Sequence, residues 1–121
     1  MSFLSNAIKW KNFFNSKEYN KLYNLYSNNS VLIPAFSNKI IYGKENIKYY
    51  FQNNIDKNLK TELISINHKR HCNINILYGT CIFYKNDIFY HDANYSFYYK
   101  FNTLENRYLI LHHHSSKVPD F

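Results

Sequence analysis

Tyr108-Leu-Ile-Leu-His-His-His-Ser-Ser-Lys-Val-Pro119 reads as a closing strand, running from an aromatic through three aliphatic residues into three histidines. Side chains alternate between the faces of a strand. His112 and His114 therefore share one face, and His113 shares the other with Leu111 and Ser115. Three adjacent histidines in a regular strand cannot converge on one metal ion. His68, His71 and His91 lie at no spacing that completes a site, so no metal and no cofactor are expected. Hydrogen-bonded strand histidines are the expectation.

Working backwards, strands are expected near 88–101, 71–84 and 59–68, with Asn86-Asp87 and Thr103 to Asn106 as polar turns. Residues 44–55 show helical spacing, with Ile47, Tyr50, Phe51 and Ile55 on one face. Lys39 to Tyr42 and Val31 to Ile33 are short strands, the latter ended by Pro34. From Phe3 to Tyr26 apolar positions recur at helical spacing. Asn15-Ser16 offers capping oxygens for a second helix near Lys17, although one helix with a break fits equally well, and Asn28-Asn29 stops it. Helices first and a meander afterwards mean α+β, not a doubly wound parallel fold. A bent antiparallel sheet wrapped on the N-terminal helices makes a cone, whose open end suits a small-molecule pocket.

The 121 residues fit one domain, 1–121. Aromatic residues make up 20%, with 13 Tyr and 10 Phe, and such side chains favour a pleated surface. No stretch approaches the roughly 18 apolar residues of a membrane span. The N-terminal Met1 to Trp10 lacks the pattern of a secretion signal, so a cytoplasmic location is expected. Cys72 and Cys81 match no zinc or redox spacing and read as a reduced, buried pair. The formal charge is +7, which raises nucleic acid as a partner. Thirteen of the 15 basic residues are scattered lysines, and only Arg70 and Arg107 supply guanidinium forks. Those forks dominate base and phosphate recognition, so the charge reads as a solvated surface and argues against nucleic acid.

Several short segments carry a more specific signal, in order along the chain. They are Trp10, then Leu22-Tyr23 or Leu25-Tyr26, Ser30-Val-Leu-Ile-Pro34, Gly43, and Ile47-Lys-Tyr-Tyr-Phe51. Tyr78-Gly79, Cys81 to Phe83 and the histidine strand complete the set. The set resembles the SnoaL-like group of the nuclear-transport-factor-2-like (cystatin-like) superfamily. Within it, the chain resembles stand-alone bacterial relatives of the association domain of calcium/calmodulin-dependent protein kinase type II. The resemblance implies a cone whose sheet face packs against another copy, as a homodimer or, as in the kinases, a larger ring. On the chain's own residues, Tyr95, Phe97 and Tyr99 alternate with Asn94, Ser96 and Tyr98, so both faces of one strand carry aromatics. One face would cover core, and the other either a partner or further core beneath the helices.

Two departures bear on function. The family's usual strand arginine is replaced by Asn94, and a second arginine of the kinase domains by Ser115. A carboxylate ligand would thereby lose its bidentate donors. The expected function is a homo-oligomeric binding or assembly module with a small-molecule pocket lined by Tyr26, Phe51, Asn94, Ser96, His113 and Ser115. The alternative is a small lyase or isomerase. There Asp92, on the same face as Asn94 and turned inward, would work with His113 beside Tyr26 in an apolar site that raises a carboxylate pKa.

Overall fold

The computed structural model describes residues 3–119. Helix α1 (Phe3–Ser16) is followed by a five-residue α2 (Tyr19–Tyr23). Strands β1 (Tyr26–Ile33) and β2 (Ile41–Tyr42) lead into α3 (Lys44–Tyr49), which widens into a π-helical turn, Tyr50–Asn54. The rest is sheet: β3 (Leu59–Leu63), β4 (Asn67–His71), β5 (Ile74–Lys85), β6 (Ile88–Asn102) and β7 (Arg107–Lys117). The strand order is β2-β1-β7-β6-β5-β3, with β4 also on β5. All pairings are antiparallel except β1 with β7, which run parallel. The chain is α+β, its helices packed on a curved, unclosed sheet.

Helix α1 ends in a Schellman arrangement. Glu18 N–H donates to Phe13 O at 2.9 Å and Lys17 N–H to Phe14 O at 3.2 Å. Lys17 occupies the left-handed position, φ 62°, where glycine is usual. Asn15 is not a helix cap. Its amide donates to Thr61 O at 2.9 Å and its carbonyl accepts from Thr61 N at 2.8 Å, clamping α1 to β3 as a strand neighbour would.

The second helix stops at Tyr23, and Tyr26 begins a strand instead of ending a helix. Leu22, Tyr23, Leu25 and Tyr26 satisfy helical spacing, but pairing with β7 claims Tyr26 opposite Ile110 and puts its phenol in the core. Asn28 and Asn29 fall where the β1–β7 register slips between Tyr26 and Val31. The expected strand 59–68 is two strands, both laid against β5. The hairpin between β4 and β5 turns at Cys72 with φ 54°, inside the expected strand 71–84. No glycine marks that turn, and Asn73 is its one local turn-forming residue. Cys72 is exposed and only Cys81 is buried, unlike the expected buried pair. Asn86 and Asp87, both with positive φ, do make the two-residue turn between β5 and β6.

Gly79 explains the break between β3 and β4. An added Cβ there would lie 2.0 Å from Ser65 O, so the corner chain rests directly on its backbone. The core is aromatic. Trp10 stacks on Phe14 with ring centroids 5.0 Å apart, and meets Phe97 and Phe51 edge-on. Tyr95, Phe97 and Tyr99 enter this core from β6, while Tyr98 stays on the other face, partly exposed.

Candidate functional site

A chain of two buried hydrogen bonds crosses the core. Trp10 Nε1–H donates to Tyr26 Oη at 2.8 Å, and Tyr26 Oη lies 2.8 Å from His113 Nδ1. An indole N–H can only donate, so the phenol oxygen accepts it; the buried phenol proton still needs an acceptor, and His113 Nδ1 is the one in hydrogen-bond reach among the described residues. His113 is then the tautomer protonated at Nε2, and Nε2 is the polar ring atom turned away from Tyr26. Its ring lies on Phe97 at 4.2 Å between centroids, with the Trp10 edge at 5.1 Å. Burial, reinforced by His112 and His114, pushes the His113 pKa down to about 3. The imidazole is therefore neutral at physiological pH. Burial likewise holds the Tyr26 phenol well above its ordinary value, with the Trp10 hydrogen bond acting the other way.

His113 also lines a cleft between the helices and the sheet. Trp10, Phe14, Phe51, Phe83 and Phe97 form its apolar walls, and half-exposed Ala35, Phe36 and Ile55 form its rim. The cavity volume is about 40 Å³, within about 500 Å³ of empty space counted out through the mouth. That inner room suits two or three waters or a few ligand atoms.

Polar groups in the cleft are few. Thr61 is spent on Ile82 O at 3.0 Å. The Cys81 thiol, pushed up to about 11 by burial, stays protonated. Ser115 is 8% exposed, and its hydroxyl has no hydrogen-bond partner among the described residues. Among the described residues, no lysine, arginine or carboxylate lines the cleft.

Of the residues singled out from the sequence, Phe51, His113 and Ser115 line the cleft. Tyr26 sits one layer behind it, holding His113. Asn94, Ser96 and Asp92 are elsewhere. Along β6 the buried residues are Ala93, Tyr95, Phe97 and Tyr99, so alternation puts Asp92, Asn94 and Ser96 on the outer face. Asp92 does share a face with Asn94, but its side chain is 53% exposed and lies against His91. Alternation fixes which residues go together and not which face is inner; the β6 aromatics claimed the core. On β7, His113 and Ser115 point inward as a pair and His114 is exposed. Leu111 departs from them, because the register with β6 slips between Tyr98 and Tyr99. That extra residue lets Ile110 and His113 both reach the core. Trp10, the donor that sets the tautomer, carried no chemical signal in the sequence beyond its apolar setting.

The family model for the calcium/calmodulin-dependent protein kinase II association domain matches residues 4–119. The chain belongs to this association-domain family. Among curated proteins, no sequence matches it. A solved candidate association domain from Xanthomonas campestris has TM-score 0.82 and 24% identity to this chain, covering 98% of this chain and 87% of that one. A candidate ketosteroid isomerase from Parabacteroides distasonis has TM-score 0.75 and 19% identity, covering 93% and 85%. The yeast UBP3-associated protein BRE5 has TM-score 0.80 and 14% identity, covering 99% of each. At these identities the likenesses establish the nuclear-transport-factor-2-like, cystatin-like fold of this association domain. Among the described residues, no helix is long and apolar enough to cross a membrane.

Proposed function

We propose that this association domain is a homo-oligomeric binding and assembly module, a homodimer built on the outer sheet face, with the cleft in its cone as a small-molecule pocket. The observation that carries the reading is the composition of that outer face. Val31, His112, Tyr98 and Ile76 lie side by side across β1, β7, β6 and β5. Ile33, His114, Ser96 and Tyr78 form the neighbouring row. Across these four strands neither row holds a carboxylate, lysine or arginine, Lys69 of β4 bounding the first row beyond Ile76, and Tyr78 and Tyr98 remain 43% and 38% exposed. Uncharged aromatic surface of this kind favours a protein partner, and a two-fold axis makes the same patch self-complementary. Membership of an association-domain family supports a second copy as that partner. A single cytoplasmic domain is part of the same reading.

Light scattering on the full chain should give twice the 14.7 kDa monomer mass. Tyr98→Lys, which puts a charge at the centre of the patch, should shift it to monomer without unfolding. A strict monomer for the unaltered protein at high concentration would sink the assembly half of the proposal. The lyase or isomerase alternative is weakened by Asp92, whose carboxylate is separated from His113 by the sheet.

A further inference from the structure

Taking the cleft as a ligand pocket, we infer that its occupant is a small neutral molecule whose carbonyl oxygen accepts hydrogen bonds from His113 Nε2–H and the Ser115 hydroxyl.

The polarity of the site is set from behind. Trp10 donates to Tyr26 and Tyr26 to His113 Nδ1, so the hydrogen-bond chain ends with a donor at Nε2. For His113 to offer a lone pair to the cleft its proton would have to sit on Nδ1, which would leave the buried Tyr26 phenol proton without an acceptor among the described residues, and both groups are fully or nearly fully buried. Two residues along the same strand, Ser115 also lines the cleft, is more than nine-tenths buried, and has a hydroxyl with no hydrogen-bond partner among the described residues. An unpartnered buried hydroxyl costs folding free energy, and a ligand acceptor is one thing that relieves it. Two donors on one strand face suit an oxygen with two lone pairs.

The charge state of the ligand follows from what is missing in the lining. The walls are aromatic, and among the described residues no lysine, arginine or ionised group faces the space. Lys117 reaches only the rim, its Nζ 5.8 Å from the Phe36 ring centroid, and it remains exposed. A carboxylate entering the inner cleft would shed its hydration with no cation to replace it. A ketone, aldehyde or amide gives up far less. The narrow inner volume favours a compact molecule whose carbonyl enters first, with its apolar body against Phe36 and Phe83.

The test uses the full chain at pH 7.5 with three matched probes, cyclopentanone, cyclopentanecarboxylate and cyclopentane. Binding is read from the His113 side-chain nitrogens and the Trp10 indole N–H by NMR. Cyclopentanone should move both, and should bind about tenfold more tightly than either other probe, as one to two neutral hydrogen bonds imply. Ser115→Ala should fold as well as the parent and weaken the ketone by about threefold or more. Cyclopentanecarboxylate or cyclopentane binding as well as the ketone would overturn the assignment of ligand class while leaving the pocket in place. Ketone affinity unchanged in Ser115→Ala would overturn the two-donor geometry. If none of the three probes moves the cleft resonances, the pocket reading itself falls.

Discussion

The phenolic oxygen of Tyr26 sits 2.8 Å from Nδ1 of His113, joining the first long strand to the last across 87 positions of sequence. Trp10 donates to the same oxygen, so one hydroxyl ties α1, β1 and β7 together in the core. Removing that hydroxyl leaves both a buried indole N–H and a buried imidazole nitrogen unpaired. Tyr26→Phe should therefore destabilise by about 2–4 kcal/mol, more than a lone hydrogen bond. Urea unfolding measures the loss. The His113 nitrogen shifts should report a changed tautomer in whatever remains folded.

The depressed pKa of His113 makes stability depend on pH in a defined direction. Its folded value is about 3, against 6.5 for an unperturbed histidine. Between those values the unfolded chain binds the proton that the folded chain refuses. Stability is thus fully present above about pH 6.5 and falls as pH drops towards 3, by up to about 1.4 kcal/mol per pH unit. His112 is shifted down as well, by burial first and by His114 second, and acts in the same sense. Urea midpoints at pH 7.5, 6.0 and 5.0 should decline, with a smaller decline in His113→Gln. A flat profile over that range would contradict the buried, neutral assignment.

Lys17 holds a left-handed backbone with φ 62° at the end of α1. A side chain costs about 1–2 kcal/mol in that region and glycine does not, although glycine loses more entropy on folding. Lys17→Gly should raise stability by about 0.5–1 kcal/mol, visible as a higher melting temperature.

Gly79 lies against the Ser65 carbonyl with no room for a methyl group. The neighbour is backbone and cannot rotate away. Gly79→Ala should cost about 3 kcal/mol, at the upper end of overpacking penalties. Hydrogen exchange should show the loss first at Ile64 and Ser65, whose amides bond Thr80 O.

Asn15 fills two backbone sites of Thr61 on the edge strand β3. Asn15→Ala should destabilise by about 1–3 kcal/mol and expose the Thr61 amide to exchange. Asn15→Asp keeps one acceptor and should recover only part of that loss.

Much of the architecture was legible because periodicity is a local property. The two-residue turn at Asn86-Asp87, the helical face of Ile47, Tyr50 and Phe51, and the run of strands after Leu59 follow from spacing and turn chemistry. The boundaries that failed are those where two periodicities coincide or where a turn lacks its usual residue. Leu22 to Tyr26 fits a helix or a strand until β7 chooses, and Cys72 turns a hairpin without glycine.

The sequence by itself determined that His113 and Ser115 share a face, that Asp92 and Asn94 share a face, and that the chain belongs with the association domains. Tertiary structure alone decided which of those faces is inside, because alternation has no sign and only packing against Trp10, Phe14 and Phe51 supplies one. It also decided the proton on His113. That depends on a phenol 87 residues away and an indole beyond it, brought together only by the pairing of β1 with β7.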